Sequence, residues 1–343
     1  MRAFGLTLLA AITIAALGAP VFGPYASDRQ FRGWLNAPPT RPHIRDAGGA
    51  WHAPFIYPWT LTNQLEQRYE QDRSRRVRLT WLDGGRLVAS SDDSRMPLFL
   101  LGADSYGRDM LSRLLHGARL SLGLSLIAMA GALLVGALVG GTAGYAGGLV
   151  DDLLMRGSDF VLVLPAMYVA LALRSVLQPV LPPLAVFGLL AAIFSFVGAP
   201  FVARGIRAIV RSESQLDYAV AAFSLGAGHL RLLVRHLLPA ARGFVAVEIV
   251  MLVPSFIVAE ATLSYVGLGF PDPVASWGTM LHDASTIRAF ADFPWLLSPA
   301  AAMFLVVLGL NLVLQRSGIA AVYNGGDGFP RRLRAGPNAV SSR

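Results

Sequence analysis

Six apolar segments restrict the fold of this chain more than any other feature of its sequence. They lie near residues 3–23, 120–146, 159–178, 184–203, 243–266 and 295–315. A helix needs about 20 mostly apolar residues to cross about 30 Å of hydrocarbon, and each segment is long enough or nearly so. The chain is 54% hydrophobic and only 15% charged, whereas charged residues make up about a quarter of an ordinary soluble domain. The sequence therefore predicts an all-α polytopic membrane protein with six transmembrane helices.

The first apolar segment has two interpretations. Arg2 and the run GLTLLAAITIAALG fit the charged and apolar parts of a signal peptide. The run is long for a signal peptide, however, and no clean small-x-small cleavage site comes before the polar region. We therefore expect residues 1–24 to form a retained anchor span, with a cleaved signal peptide as the alternative.

Two regions lie outside the apolar segments. Residues 25–100 are polar, charged and punctuated by proline, and VRLTWLDGGRLV surrounds Asp83-Gly84-Gly85 with strand-forming residues. That pattern predicts a hairpin, so this region is expected to be a small extramembrane insertion that is partly β. Residues 319–343 are rich in glycine, proline and arginine, which predicts a disordered tail.

The arginines predict the orientation in the membrane. Six of them lie in residues 204–242, whereas residues 267–294 hold only Arg288. Because short cytoplasmic loops collect basic residues, loop 204–242 and the tail are predicted to be cytoplasmic. With six spans the N-terminus is then cytoplasmic too, and the insertion extracytoplasmic. The acidic loop 149–158, which contains Asp151 and Asp152, does not fit this bias.

Composition also excludes several functions. The formal net charge of +8 is explained by topology. Nucleic-acid binding is not predicted, because the sequence shows no basic face interleaved with exposed aromatic residues. The chain has no cysteine, and its six histidines show no metal-ligand spacing. All 29 basic residues are arginine, so the lysine of a phosphate-binding loop is missing. We expect no metal, no cofactor and no catalytic residues, and any ATP-driven function must use an ATPase on another chain.

The first polar motif is LGADSYGRDMLSRLLHGARLSL, residues 101–122. Asp104 is expected to cap a turn that Gly107 breaks, and Arg108 and Asp109 to pair nearby. Arg113 and Arg119 are expected to anchor the second span at the membrane interface. A structural role at the start of a helix is favoured over substrate contact. The candidate positions are Gly102, Asp104, Gly107, Arg108, Asp109, Ser112 and Arg113.

The second motif is DYAVAAFSLGAGHLRLLVRHLLP, residues 217–239. It predicts a helix, a glycine break and a second helix that stops at Pro239, lying on the membrane surface. Asp217 is the expected N-cap. An ordinary amphipathic surface helix pair is the alternative to a docking element. The candidate positions are Ala221, Ala222, Leu225, Gly226, Arg235, His236 and Pro239.

The third motif is EATLSYVGLGFPDPVASWGTML, residues 260–281. A carboxylate such as Glu260 is costly to bury alone in a membrane, which makes it a functional candidate. The glycines and prolines that follow mark a break, so Glu260 could instead cap or pair near water. Glu248 is expected to snorkel at the cytoplasmic interface. The candidate positions are Glu260, Ser264, Gly267, Gly269 and Trp277.

Other features of the spans predict packing. Glycines recur every fourth residue at positions 136, 140, 144 and 148, which predicts a ridge for close helix approach. Pro165 and Pro254 are expected to kink their spans. Arg174 is expected to snorkel.

The three motifs resemble the dipeptide/oligopeptide/nickel branch of ABC-importer permeases, and in particular the second permease of such systems. The family patterns are close to LGTDxxGRDxxSRxxxGxRxSL, an EAA loop ending in RHxLP, and EAxLSFLGLGxxxPxxSWGxML. This chain has Ala103 where threonine is usual and Val220 where the EAA loop opens with glutamate. The resemblance covers about residues 100–315.

The resemblance implies a type I importer-like transmembrane domain over residues 101–318, with residues 204–242 holding an EAA-type coupling loop. It implies a bacterial inner-membrane complex with a second homologous permease, two ABC ATPase subunits and an extracytoplasmic substrate-binding protein. Transport would proceed by alternating access. The substrate remains open among peptides, nickel chelates and sugar-peptide conjugates.

Three alternatives remain at this point: a secondary transporter, a channel and an intramembrane enzyme. Ser255 and Ser264 lie on the fifth predicted span, but the histidines fall in loops, so no nucleophile–base pair is evident.

Overall fold

The computed structural model describes residues 2–46, 48–64, 66–92, 96–163, 182–285 and 291–314. Most of the predicted span 159–178, with Pro165 and Arg174, lies outside these ranges, as does the tail 319–343. The helices are α1 (Arg2–Leu17), α2 (Ala19–Phe22), α3 (Met110–Ala146), α4 (Gly148–Val163), α5 (Pro183–Glu213), α6 (Asp217–Ser224), α7 (His229–Leu232), α8 (Arg242–Tyr265), α9 (Trp277–Asp283) and α10 (Ser298–Leu314). The strands are β1 (His43–Arg45), β2 (Trp51–Ile56), β3 (Trp59–Asn63), β4 (Arg68–Gln71), β5 (Val77–Trp81) and β6 (Val88–Ser90).

Four helical stretches within the described residues are long and apolar enough to cross a membrane. They are Met110–Ala146, Pro183–Glu213, His229–Tyr265 and Pro294–Val313, and each contains or closely matches a predicted segment. The first predicted segment, 3–23, forms two shorter helices instead. Helix α1 has 16 residues, and α2 restarts after Gly18 with a proline in its first turn. The fold is therefore mostly helical, with four candidate spans in the described part of the chain.

Helices α3 and α5 pack closely along a glycine ridge. A Cβ added to Gly136 would lie 2.5 Å from Cβ of Val202, and one added to Gly140 would overlap the backbone of Ala203. Gly144 approaches α5 in the same way. Gly148 does not belong to the predicted ridge, because its φ of +53° puts it in the turn that begins α4. The ridge therefore has three members, and the fourth glycine allows the backbone turn that begins α4.

Helix α1 packs along α10 at another close approach. A Cβ added to Gly5 would lie 2.9 Å from the carbonyl oxygen of Gly309. Ala16 of α1 is buried in the same apolar cluster as Trp277 of α9 and Val306 of α10. The N-terminal helix is thus packed into the helical bundle.

The insertion contains β-structure, as predicted. One sheet has four strands in the order β1-β2-β5-β6, and a second sheet pairs β3 with β4; all pairs are antiparallel. Strands β5 and β6 form the predicted hairpin, in which Trp81 pairs with Val88. Gly84 and Gly85 turn the chain with φ of +58° and +79°. These are backbone conformations that glycine adopts without the cost of a Cβ.

The first part of the insertion is hydrogen-bonded to the loop before α3. The amide of Asn36 donates to the carbonyl of Asp104 at 2.8 Å, and the amide of Ala103 donates to Ala37 at 2.8 Å. Tyr25, Phe31 and Phe99 pack edge to face beneath these bonds. The insertion and residues 101–109 are therefore one packed unit.

Candidate functional site

The loop before α3 folds around the carboxylate of Asp104. Its Oδ1 accepts the amides of Tyr106 and Arg108, both at 2.9 Å, so Asp104 caps the turn as predicted. Gly107 sits in this turn with φ of +75°, and a Cβ there would overlap the carbonyl oxygen of Phe31. Only glycine fits this backbone conformation at this close approach.

Arg108 joins this turn to two distant elements. Its side chain is fully buried, and Nε donates to Oδ2 of Asp104 at 2.6 Å. Nη1 reaches Oδ1 of Asp272 at 2.7 Å, and Nη2 reaches Oδ2 of Asp283 at 2.9 Å. Asp272 follows α8, and Asp283 ends α9. One guanidinium therefore holds three carboxylates from three parts of the chain, a geometry that its planar fork of five N–H groups allows.

Arg113 belongs to the same cluster, and its predicted anchoring role at the interface is wrong. Its side chain is 1% exposed, with Nε 3.4 Å from Oδ2 of Asp104 and Nη2 3.6 Å from Oδ2 of Asp283. The reason is electrostatic: three carboxylates around Arg108 alone would leave a formal charge of −2, and Arg113 lowers it to −1, while the third carboxylate, Asp272, is 66% exposed to solvent. Burial raises the pKa of Asp283, and the two arginines oppose that shift.

Asp109 does not pair with Arg108 as predicted but caps α3. Its Oδ2 accepts the amide of Ser112 at 2.7 Å, and the hydroxyl of Ser112 accepts the amide of Tyr25 at 3.0 Å. Burial raises the pKa of Asp109 to about 7, although the hydrogen bonds from Ser112 act to lower it. Asp109 therefore titrates near neutral pH, at a helix end that anchors the insertion.

Glu260 is fully buried within the chain, and it pairs with neighbouring side chains, as one of the two predicted alternatives required. Its Oε1 accepts hydroxyls from Ser264 at 2.7 Å and Ser276 at 2.8 Å, and its Oε2 accepts the hydroxyl of Ser121 at 3.0 Å. Ser121 belongs to α3 and Ser276 is the N-cap of α9. The carboxylate thus joins α3, α8 and α9 through hydroxyl donors, which satisfy a buried acceptor.

The glycines of the third motif permit this close packing. Gly267 ends α8 with φ of +80°, and a Cβ added to Gly269 would overlap Ser264. Trp277 is buried, and its amide donates to Oγ of Ser121 at 3.1 Å while its Nε1 donates to Leu114 at 3.1 Å. The signature residues therefore fasten α9 against α3 and α8.

The second motif forms a helix, a glycine break and a second helix, but it does not stop at Pro239. After α7 the chain continues through a π-type turn, Leu233–Leu237, and a tight turn, Leu238–Ala241, into α8. Pro239 lies in the first positions of that tight turn. The proline has no N–H to donate, and the hydrogen-bond pattern changes around it so that the helical path continues past the missing donor. The apolar stretch therefore runs from His229 to Tyr265 without interruption.

The start of this motif also differs from expectation. Leu216 is the N-cap of α6, and Asp217 is the first helical residue rather than the cap. At this position the negative charge of Asp217 interacts favourably with the positive end of the helix dipole. Gly226 breaks the segment with φ of +87°, and no described residue lies within 4 Å of a Cβ added there. The break therefore depends on backbone conformation and not on crowding.

Helices α6 and α7 present an apolar surface. Leu225 is 89% exposed, and Val220, Phe223 and Leu230 are more than half exposed. Three other side chains of this region are buried and attach it to the rest of the chain: Ala219, Leu232 and Leu237. Of the predicted positions, Ala221, Gly226, Arg235 and Pro239 are exposed, while Ala222 and His236 are partly buried. Exposed apolar side chains grouped on one short segment are typical of a contact with another protein or with a membrane.

A hydrogen bond links this surface to α3. The hydroxyl of Tyr145, at the end of α3, lies 2.5 Å from Nδ1 of His229, and the ring of Phe223 packs on His229. Sequence reasoning missed this contact, since the two residues are 84 positions apart.

The acidic residues at 149–158 lie on a helix, α4, and not in a loop. Asp151 bonds to Nε and Nη2 of Arg207, and Nη1 of Arg211 lies 3.0 Å from its Oδ2. The hydrogen bond from Arg207 lowers the pKa of Asp151, despite partial desolvation. The exception to the arginine bias is therefore an acid paired with two of those arginines.

Long apolar helices fastened by buried polar clusters, with an exposed apolar helix–glycine–helix surface at one end, define a polytopic helical membrane protein. Residues 111–318 match the family described as "Binding-protein-dependent transport system inner membrane component", and the chain belongs to this family.

Curated relatives agree with this assignment. The chain is 32% identical over 313 residues to the di/tripeptide transport system permease protein DppC of Pseudomonas aeruginosa, covering 90% of this chain and 83% of that protein. It is 36% identical over 213 residues to the oligopeptide transport system permease protein OppC of Bacillus subtilis, covering 62% and 67%. It is 34% identical over 213 residues to the glutathione transport system permease protein GsiD of Pectobacterium atrosepticum, covering 62% and 68%.

Membership of this family gives the chain its general role. It is the permease subunit of an ABC importer in the inner membrane and works with a substrate-binding protein. It is a transport component and not an enzyme, and ATP hydrolysis belongs to separate subunits.

Proposed function

We propose that this chain imports peptides and that it pairs with a second, homologous permease to form the translocation path. The observation that carries the proposal is the similarity to DppC, which extends over 90% of this chain. The other two relatives reported above act on oligopeptides and on glutathione, itself a tripeptide. The shared chemical class is therefore a short peptide.

The surface formed by α6, α7 and the turns that follow, residues 217–239, is proposed to bind an ATPase in the cytoplasm. Its exposed apolar side chains and the exposed Arg235 support a protein contact. Val220 replaces the glutamate usual in this loop, which removes one polar contact and enlarges the apolar area. The docking positions are proposed to be Ala221, Ala222, Leu225, Gly226, Arg235, His236 and Pro239.

Continuity between this surface and a span suggests how force is transmitted. Residues 229–265 form one apolar helical stretch, so displacement of α7 by a closing ATPase moves α8 directly. The π-type turn at Leu233–Leu237 is a place where a helix changes register with little loss of hydrogen bonding. At the far end, Glu260 couples α8 to α3 and α9. We propose that this lever produces alternating access.

The proposed topology has six spans, counting residues 1–24 as an anchor and residues 159–178 as the third span. Both termini are then cytoplasmic, as is the tail 319–343. Residues 25–100 are extracytoplasmic, and residues 101–318 form the permease core. The arginine bias supports this orientation, and its one acidic exception is neutralised by Arg207 and Arg211.

The signature residues around Arg108 and Glu260 are proposed to act structurally. Arg108 and Arg113 hold the turn before α3 against α9 and the loop after α8. Because both guanidinium groups are buried and face carboxylates of the same chain, they are poorly placed to bind a solute. Their role is to keep the outer ends of α3, α8 and α9 together while the opposite ends move.

The insertion is proposed to contact the binding protein. A cavity of about 740 Å³ lies between strands β3 and β4 and residues 291–295. Trp59 and Asn36 line it, and Nε1 of Trp59 and Oδ1 of Asn36 are buried without a hydrogen-bond partner among the described residues. A partner's backbone or side chain would satisfy this donor and acceptor, which otherwise carry a desolvation cost. The alternative is that the insertion is a solvated spacer.

Co-purification tests the proposed function. The tagged chain, expressed with the ATPase subunits and the second permease of the same importer, is expected to co-purify with both. The chain alone is expected to hydrolyse ATP only at background, and activity is expected to appear when the ATPase subunits are added. Robust hydrolysis by the isolated chain, after contaminating ATPases are removed, would contradict the assignment.

A further inference from the structure

Helices α5 and α8 leave a groove between them on the surface of the chain. The groove has a volume of about 460 Å³. Its lining is mainly apolar and includes Phe194, Val197, Phe201, Met251, Leu252 and Phe256. Glu248 also lines it, and it is the one ionisable residue of the lining.

Glu248 has no hydrogen-bond or ion-pair partner among the residues that the structure describes. This distinguishes it from Glu260 on the same helix, whose two oxygens accept three hydroxyls. Glu248 is partly buried, so its carboxylate is neither fully hydrated nor compensated by a neighbour in the described part of the chain.

The position of Glu248 along α8 argues against simple hydration at the membrane surface. From Glu248 to Tyr265 the helix rises about 25 Å, at about 1.5 Å per residue, which is less than the thickness of about 30 Å of the hydrocarbon layer. Phe201 of α5 lines the same groove, one turn before Arg204 where charged residues begin. The carboxylate therefore lies about one helical turn inside the level of Arg204, deeper than the interfacial position expected from the sequence. A glutamate side chain, unlike arginine, is too short to reach far along the helix to water.

An uncompensated carboxylate at this depth is not compatible with a lipid-facing groove. Charged groups within spans face a water-filled cavity or a partner, because contact with hydrocarbon costs several kcal/mol by most estimates. An apolar groove with one fixed negative charge also has a defined preference: it fits a solute that has an apolar body and a cationic group.

We propose that this groove forms part of the water-filled translocation path and that Glu248 binds the amino group of the transported solute. The proposal rests on the peptide import argued above, since a peptide with a free N-terminus carries one ammonium group. Apolar peptide side chains pack against Phe194 and Phe201, while the ammonium pairs with the carboxylate of Glu248.

Cysteine labelling tests the groove without knowledge of the solute, because the chain contains no cysteine. Met251 lines the groove, is 55% exposed and lies three residues from Glu248. In the assembled importer in proteoliposomes, Met251→Cys is treated with a cationic methanethiosulfonate ethylammonium reagent and an anionic methanethiosulfonate ethylsulfonate reagent. The labelled chain is then separated by electrophoresis.

The expected result is labelling by both reagents, with a preference for the cation that depends on Glu248. A unit charge about 6 Å away in water changes the local concentration of each reagent about threefold, in opposite directions. The ratio of the cation's labelling rate to the anion's is therefore expected to fall about tenfold in Glu248→Gln at low salt. In Glu248→Asp, which keeps the carboxylate, this ratio is expected to stay close to its value with Glu248. Asp152→Asn, which removes an exposed carboxylate on α4, controls for the general loss of charge. Leu138→Cys, on an exposed side of α3, controls for labelling from lipid.

Two results would overturn the proposal. If neither reagent labels Met251→Cys, the groove is covered by lipid or by the second permease. If Glu248→Gln leaves the ratio of rates unchanged, the carboxylate does not select cations.

Uptake then connects the groove to the solute. Wild-type importer is expected to take up labelled alanyl-alanine in preference to N-acetyl-alanyl-alanine, and Glu248→Gln to lose that preference. Retained preference in the variant would refute amine recognition by Glu248. Failure of the wild type to import either dipeptide would instead contradict peptide import, and the labelling ratio would still decide the character of the groove.

Discussion

Gly226 provides the sharpest test of the lever, because the chain offers a matched control two residues away. The φ of Gly226 is +87°, and an added Cβ would have no neighbour within 4 Å in the part of the chain that the structure describes. Gly228 is equally uncrowded, but its φ is −65°, an extended conformation open to any residue. Gly226→Val and Gly228→Val therefore add the same side chain to the same exposed turn, and only the first forces a strained backbone.

The expected cost follows from the backbone alone. A side chain with φ near +60 to +90° costs about 1–2 kcal/mol, and more for a β-branched residue such as valine. That energy is small beside the packing of the spans, so membrane abundance should be normal. It is large enough to shift the turn between α6 and α7 by about tenfold or more toward another conformation. We expect Gly226→Val to abolish uptake and to alter stimulation of the partner ATPase.

Uptake of labelled alanyl-alanine in cells, normalised to the amount of protein in the membrane, is the appropriate assay. Gly228→Val should retain most of the wild-type uptake. Full uptake by Gly226→Val would remove Gly226 from the lever. Equal loss in both variants would mean that the added side chain, and not the backbone, disturbs docking.

Three further predictions concern other parts of the chain. Ala227→Cys should be labelled by an impermeant thiol reagent only from the cytoplasmic side; labelling in intact cells would refute the topology. Deletion of about residues 60–95 should leave membrane insertion intact but reduce uptake and binding-protein association, and survival of both would favour a solvated spacer. Asp109→Asn should abolish one pH dependence of the free energy of unfolding. The pKa of buried Asp109 is raised to about 7, so its ionisation lowers that free energy as pH rises from about 4 to 7, by at most about 4 kcal/mol. The thermal midpoint in detergent at pH 5 and pH 8 measures this, and an unchanged difference in the variant would refute it.

The sequence predicted the elements that depend on local patterns. Apolar length identified the four long helical stretches, and alternation around Gly84 and Gly85 identified the β5–β6 hairpin. The break at Gly226 also followed from sequence, since glycine is the residue that accepts a positive φ without strain.

Sequence reasoning failed where the local signal had more than one structural solution. Pro239 was expected to end a helix, but a π-type turn followed by a tight turn carried the helical path past it. Asp217 was expected as an N-cap, but the helix began one residue earlier, after Leu216. Both errors concern how backbone hydrogen bonds are redistributed over one turn, which residue type alone does not determine.

Long-range pairing was the other source of error. The hydroxyl of Ser121 that reaches Glu260 is 139 residues away in sequence, and the carboxylate of Asp283 near Arg113 is 170 residues away by their numbers. The burial of Arg113 and the pairing of Asp151 with Arg207 depend on how helices pack against one another. No periodicity in a single sequence encodes such partners, although the density of charged and hydroxyl residues in the motifs did indicate where they would lie.

ATP-driven uptake by the reconstituted complex tests the central claim most directly. Proteoliposomes would contain this chain, the second permease and both ATPase subunits, with the binding protein and labelled alanyl-alanine on the outer face. The account predicts that the dipeptide accumulates only with hydrolysable ATP and the binding protein, and that leaving out the ATPase subunits abolishes accumulation. Accumulation by this chain without ATPase subunits, driven by an ion gradient or by the solute gradient alone, would contradict the account and identify a secondary transporter or a channel.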